Sequence, residues 1–203
     1  MNNCRSLVLL TCAFIACLSS ITGFAADLDF DEYVQRADAA RKRGDWESVA
    51  SQTAQAINHA DIPRTGAVRS AVHVEYGRAM GVLCHFDEAE KYLLLAKQIA
   101  QQGSSSTFPA LAELGALSVQ QKKYAVAAGW YSEMMPMLER ESRIKISPVL
   151  VADAFEKFAI ALAATGKPEE AESQRRAAAK IRETGLKAPP GTITPYGAKC
   201  AQH

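Results

Sequence analysis

The residues with the clearest chemical potential are two cysteines and two histidines far apart in the chain. Cys84 is followed by His85, and near the C-terminus Cys200 and His203 have Cys-x-x-His spacing. Zn²⁺ accepts all four as ligands, but adjacent side chains such as those of Cys84 and His85 rarely point at one ion. We therefore expect no metal site. The two thiols either form a disulfide, or remain as a small buried thiol and a free tail residue.

Common local signatures of catalysis are absent from the sequence. It contains no glycine-rich phosphate loop and no GxSxG, HExxH or CxxC motif. The carboxylate pairs Asp87-Glu88 and Glu169-Glu170 fall in the first turn of predicted helices, where negative charge complements the helix dipole. The sequence therefore predicts a protein that is not an enzyme and carries no cofactor.

The N-terminal residues predict export. Arg5 precedes an apolar run, residues 7–18, that is too short to span a bilayer. A stretch of polar and small residues follows the run and ends at Ala25. Cleavage before Ala26 fits the small-x-small rule of signal peptidases. Alternatively, the stretch AFIAC ending at Cys17 resembles a bacterial lipoprotein box, in which the cysteine carries a lipid anchor. The predicted location is periplasmic, either soluble or lipid-anchored and facing the periplasm.

The charge balance limits the kinds of partner. Lys and Arg number 23, Asp and Glu number 22, and the leader contains only Arg5 among charged residues, so the mature chain is neutral. Nothing in this balance favours binding to nucleic acid or to an anionic membrane surface. We expect a protein or peptide partner, with a homo-oligomer as a further possibility and membrane contact only through an anchor at Cys17.

Four stretches of the chain repeat one pattern of small and large residues. Their second helices are predicted to start at Trp46, Phe86, Tyr124 and Pro168, at intervals of 40, 38 and 44 residues. Two antiparallel helices approach closely only where one presents a small residue to a large side chain of the other. The pattern therefore predicts paired helices, with the glycines and alanines of the repeat at the contacts within each pair.

Close contacts within two units can be placed from this register. We expect Gly77 to lie against Ala89 in the second unit and Gly115 to lie against Ala127 in the third. Pro136 lacks an N–H and should end the third unit's second helix near Met135.

On these residues the chain resembles the tetratricopeptide repeat (TPR) family, from about Asp29 to about Glu183. The resemblance implies an all-α fold, a right-handed α-solenoid of about four TPR-like helix pairs in residues 26–184. A signal peptide, residues 1–25, would precede it, and a Pro/Gly-rich tail, residues 185–203, would follow it. Ala37 in place of the first-helix glycine and Pro168 in place of an aromatic residue depart from the family pattern in the end units.

The resemblance also implies where a partner would bind, because TPR proteins bind on the concave surface lined by the first helix of each unit. Arg78 is the predicted main polar anchor, since a guanidinium can hold a carboxylate or backbone carbonyls by paired hydrogen bonds. A simple surface pair between Arg78 and Glu75 is the alternative. The predicted groove positions are Asp38, Arg41, Lys42, Val74, Glu75, Arg78, Glu113, Gln120, Glu156, Lys157 and Ile160.

These observations predict a non-enzymatic adaptor or scaffold of the bacterial cell envelope that binds a peptide or helix in its groove. A structural protein that associates with itself is the alternative, and an enzyme acting on cell-wall material is a distant third.

Overall fold

The computed structural model of the protein describes residues 28–200, and this part of the chain is all-α, without β-strands. The predicted signal peptide and the Cys17 alternative lie outside the described residues, as does His203. No helix within residues 28–200 combines the length and the apolar character needed to cross a membrane.

Ten helices form this part of the chain, eight of eleven residues or more and two of a single turn. They are α1 (Phe30–Arg43), α2 (Trp46–Asn58), α3 (Gly66–Val82), α4 (Phe86–Gln102), α5 (Phe108–Gln120), α6 (Tyr124–Met134), α7 (Met137–Arg140), α8 (Arg143–Ile146), α9 (Pro148–Ala164) and α10 (Pro168–Arg182).

The predicted starts of the second helices are confirmed. Helices α2, α4, α6 and α10 begin at Trp46, Phe86, Tyr124 and Pro168. In the first pair the reason is visible, because Gly44 adopts a left-handed conformation with φ 73° that ends α1. The carboxylate of Asp45 then accepts a hydrogen bond from the backbone N–H of Ser48 and caps α2.

The predicted helix break is also confirmed, but the following segment differs from expectation. Helix α6 ends at Met134, directly before Met135 and Pro136. Ser142, Ser147 and Pro148 are typical of a loop over residues 140–148. The chain instead forms the short helices α7 and α8 on either side of Ser142, which has φ 51°. Met137 and Leu138 of α7 are buried in the core between the third and fourth pairs, and this packing favours the additional helical turn.

Small residues set the distance between paired helices, as predicted. A Cβ atom added at Gly77 of α3 would lie 2.8 Å from Leu93 Cγ and 3.2 Å from the carbonyl oxygen of Ala89 in α4. One added at Gly115 of α5 would lie 2.5 Å from the Tyr131 ring of α6, so the group nearest to this glycine is Tyr131 and not the expected Ala127. Neither position has room for a side chain, because the facing helix occupies that space.

The first helices of successive pairs lie beside one another. Helix α3 contacts α5, and α5 contacts α9. Helix α1 is linked to α3 by Arg41 Nε, which lies 3.5 Å from a Glu75 carboxylate oxygen. We call the surface shared by α1, α3, α5 and α9 the first-helix face.

Candidate functional site

The C-terminal tail lies on the first-helix face. After α10 the chain turns, and residues 191–200, which we call the docked tail, follow α3 and α5 in the direction of those helices. Thr194 lies beside Arg78, Tyr196 lies beside Gly81 one helical turn further on, and Cys200 reaches Cys84 beyond the end of α3. A non-helical segment of turns and bends therefore occupies the surface between α3 and α5.

The docked tail is held at its end by a disulfide. The sulfur atoms of Cys84 and Cys200 lie at bonding distance, and their Cα atoms are 5.4 Å apart, within the usual range for a disulfide. Cys84 occupies the turn between α3 and α4 and has φ 71°. Of the two alternatives left open by the sequence, the structure has the bonded pair.

Arg78 holds the backbone of the docked tail. Its Nη2 donates to the carbonyl oxygens of Gly191, at 2.7 Å, and Thr192, at 3.2 Å. Its Nε donates to the Thr194 hydroxyl at 2.6 Å, and its Nη1 donates to Glu75 at 2.8 Å. Every nitrogen of the guanidinium therefore has a partner, and the residue is only 5% exposed.

Glu113 of α5 accepts hydrogen bonds from the tail side chains. The Thr194 hydroxyl donates to Glu113 Oε1 at 3.0 Å, and the Tyr196 hydroxyl donates to Glu113 Oε2 at 2.9 Å. Arg78 Nε lies 3.3 Å from the same carboxylate, so the two buried charges neutralise each other. The Tyr196 ring packs against Gly81 and belongs to the same core cluster as Leu117, and it is 9% exposed.

The electrostatics of this cluster favour the ionised form of Arg78 and the protonated form of Tyr196. Burial opposes the charge of Arg78, but the nearby carboxylates of Glu113 and Glu75 outweigh that effect, so the pKa of Arg78 is raised. Burial raises the pKa of Tyr196 well above its ordinary value, and the charge of Glu113 raises it further. Tyr196 therefore stays protonated and remains a hydrogen-bond donor to Glu113 at neutral pH.

A second arginine extends the cluster onto α1. Arg41 Nη1 donates to the Gly191 carbonyl oxygen at 2.7 Å, so two guanidinium groups share this one acceptor. Arg41 also pairs with Asp38 and lies near Glu75. The hydrogen bond from Lys42, followed by that from Arg41, lowers the pKa of Asp38.

Part of the first-helix face stays open beside the docked tail. A pocket of about 150 Å³ lies between α1, α2 and α3. Its apolar surface comes from Val34, Ala37, Ala71 and Val72, and its polar lining comes from Asp38, Arg41, Thr53 and Glu75. A cavity of this volume can hold one apolar group of about the size of benzene. We call it the α1–α3 pocket.

The remaining predicted groove residues are divided among different surroundings. The prediction for Val74 is wrong, because its side chain is 5% exposed and packs in the core with Trp46 and Ala79. Glu156 pairs with Arg182 of α10, away from the tail, and Ile160 is exposed.

The other three predicted groove residues have polar or backbone neighbours. Lys42 Nζ lies 2.6 Å from Asp38, and Lys157 pairs with Asp153 one turn earlier in α9. Gln120 lies against Gly197, where an added Cβ would come within 2.9 Å of the Gln120 amide carbon.

The sequence predicts that Arg78 binds a carboxylate or backbone carbonyls, and it does bind carbonyls, but those of the chain's own tail. A partner could reach this guanidinium only where the tail is displaced. Sequence reasoning missed Gly191, Thr194 and Tyr196 because the tail has no helical period. The available signal was Gly81, a small residue of α3 that the repeat pattern does not assign to a contact with α4. The Tyr196 ring fills the space beside this glycine.

Within residues 28–200 no group of three or more His, Cys, Asp or Glu side chains could hold a metal ion. In comparisons with known proteins, no protein-family model matches the chain. No curated protein shows significant sequence similarity to it.

Proposed function

We propose that the protein is an exported, non-enzymatic adaptor of the bacterial cell envelope that binds a peptide or helix on its first-helix face. The proposal includes a right-handed α-solenoid of four TPR-like pairs, made up of α1 with α2, α3 with α4, α5 with α6, and α9 with α10. The consecutive packing of these pairs and the side-by-side first helices support it.

The main support is that a non-helical segment of the chain's own tail already occupies this face. Arg41 and Arg78 bind main-chain carbonyls of Gly191 and Thr192. Beside Arg41 the bound segment has a glycine, because a Cβ added at Gly191 would lie 2.9 Å from the Arg41 side chain and backbone. Helices α1 and α3 therefore present guanidinium donors that can hold the backbone of a bound segment.

The α1–α3 pocket is the part of the face that we assign to the partner. Between α5, α9 and the tail a gap of only about 10 Å³ is left, whereas the α1–α3 pocket is open and about 150 Å³ in volume. Its apolar lining suits a single aliphatic or aromatic side chain, and Asp38 and Glu75 offer acceptors to the backbone N–H groups beside that side chain.

Site-specific photo-crosslinking in the producing cell tests this assignment. Ala71 is exposed in α3 and lines the pocket, whereas Ala125 is equally a surface alanine but lies on α6. A crosslinking amino acid at position 71 should trap a specific protein that the same group at position 125 does not trap. Mass spectrometry of the adduct then gives the partner and the segment bound.

Affinity measurements with that segment complete the test. Ala71→Phe should fill the pocket and weaken binding by about tenfold or more, while Ala125→Phe should leave it unchanged. Equal crosslinking at both positions, or unchanged affinity of the Ala71→Phe variant, would remove the pocket from the partner site. The self-association alternative predicts instead that the trapped protein is a second copy and that the mass in solution rises with concentration.

A further inference from the structure

An apolar cleft lies at the opposite end of the fold from the α1–α3 pocket. It has a volume of about 610 Å³ and is formed by α8, the start of α9, the end of α10 and the residues that follow α10. Phe155 and Ile181 form part of its apolar lining, with Ile144 and Leu186 beside them. We call it the C-terminal cleft.

Several large apolar side chains of this region are exposed. Ile144 is 42% exposed, Leu186 is 59% exposed, and Ile146, close to Ile144 in the chain, is 65% exposed. Isoleucine and leucine side chains exposed together around a depression are typical of interaction sites on soluble proteins. An adjoining depression of about 400 Å³ shares Lys145, Pro148 and Leu186 with the cleft, so the surface is elongated.

The charged residues of the cleft are all basic. Lys145 and Lys180 line it, and Lys187 lines the adjoining depression, but no acidic residue lines either among the described residues. None of these three lysines has an ion pair with another described residue. By contrast, Lys97 of α4 and Lys123, which directly precedes α6, are both paired with glutamates. In a chain of net charge +1 the cleft is thus a local region of uncompensated positive charge.

We infer that the C-terminal cleft docks an acidic amphipathic helix of a partner protein. Apolar side chains spaced by three and four residues on such a helix would enter the elongated surface lined by Phe155 and Ile181, and flanking carboxylates would pair with Lys145 and Lys180. The recessed form favours a protein helix over a flat anionic membrane, because inserted side chains fill a concavity that a bilayer surface would leave empty.

Binding of designed peptides tests the inference. The probe is a synthetic helix of about sixteen residues with Leu at positions spaced by three and four and Glu on its polar face. Its controls are the same peptide with Lys in place of Glu, and a scrambled peptide of identical composition. The acidic amphipathic peptide should bind, its affinity should fall with added salt, and neither control should match it.

Paired variants identify the surface. The double change Lys145→Glu and Lys180→Glu should weaken binding by about tenfold or more and transfer the preference to the lysine peptide, whereas Lys122→Glu should have no effect. Ile144→Ser with Leu186→Ser should weaken binding similarly, while Leu94→Ser, which also alters an exposed leucine, should not. All of these residues are exposed or partly exposed, so melting temperatures should remain close to wild type.

Three results would overturn the inference. One is equal affinity for the acidic and scrambled peptides, or binding that is unaffected by both double variants. Another is binding to vesicles of anionic phospholipid that depends on the same residues while the peptide does not bind, which would make the cleft a membrane contact. The third is a dimer, measured by mass in solution, that the double variants dissociate while the peptide has no affinity, which would make the occupant a second copy.

Discussion

Docking of the tail can be tested with the substitution Gly81→Ala, which adds a single methyl group. Gly81 lies in the last turns of α3, and a Cβ atom added there would lie 2.5 Å from Tyr196 Cδ1 and 3.3 Å from Leu117 Cδ1. The Tyr196 ring lies across this position, so Gly81→Ala should force the ring out of its site. The change leaves the disulfide and all charged groups in place.

The sign of the change in unfolding free energy caused by Gly81→Ala distinguishes a docked tail from an undocked one. Alanine is favoured over glycine in a helix interior by about 1 kcal/mol, so without the docked ring the substitution should stabilise the protein. Releasing a buried aromatic ring costs roughly 2–3 kcal/mol, and losing its hydrogen bond to an ionised carboxylate costs about 1.5–3 kcal/mol. With partial relaxation, we expect the free energy of unfolding to fall by about 2–4 kcal/mol.

Gly129 provides the matched control. It lies in the interior of α6, and an added Cβ would have no neighbouring atom within 4 Å. Gly129→Ala should therefore raise the free energy of unfolding by up to about 1 kcal/mol in urea titrations. Hydrogen exchange of residues 191–200 should accelerate in Gly81→Ala and stay unchanged in Gly129→Ala. If Gly81→Ala were as stabilising as Gly129→Ala, Tyr196 would not occupy the space beside α3, and the tail would not be docked as described.

Three further predictions concern stability. The Cys84–Cys200 bond closes a loop with a sequence separation of 116, so the Cys200→Ser variant should lose roughly 4–5 kcal/mol of unfolding free energy, and thiol labelling of unreduced, unfolded wild type should detect no free thiol of this pair. Burial lowers the pKa of His73, so the contribution of neutral His73 to the free energy of unfolding should be fully present above the unfolded-state pKa of 6.5 and should be lost as the pH drops below it. The His73→Phe variant should lose less unfolding free energy than wild type in acid unfolding curves. Gly115→Ala should cost about 1–3 kcal/mol in urea titrations because the Tyr131 ring occupies the space of the added methyl group.

The paired helices could be predicted from the sequence because their signals are local. The starts at Trp46 and Phe86 follow residues that end the preceding helix, and Pro136 removes a backbone donor wherever it falls. The contact between Gly77 and Ala89 followed from the register alone, since a pair of helices joined by a short turn has one dominant way to pack.

The site was harder to predict because it depends on a segment without periodicity. The cysteine count allowed a bond between Cys84 and Cys200, but the path of the residues between α10 and Cys200 has no local signal. The same limit applied to Arg78, since a charged residue on the inward side of a helix has the same sequence pattern whether water or a peptide covers it. Val74 was misplaced by the register for a simpler reason, because α3 is buried on most sides and not only on the side facing α4.

The tethering of the tail decides which part of the first-helix face is available to a partner. A segment joined covalently to its binding site has an effective concentration of the order of millimolar or more, and a free peptide making the same contacts would have to exceed it. Here the segment is tethered at both ends, by the chain after α10 and by the bond to Cys84. A partner that competed for Arg78 would also leave Glu113 without the hydroxyls of Thr194 and Tyr196. The docked tail therefore acts as a fixed part of the fold, and the proposed partner site is the α1–α3 pocket, with Arg41 and Glu75 at its edge, because that pocket is open without displacing the tail.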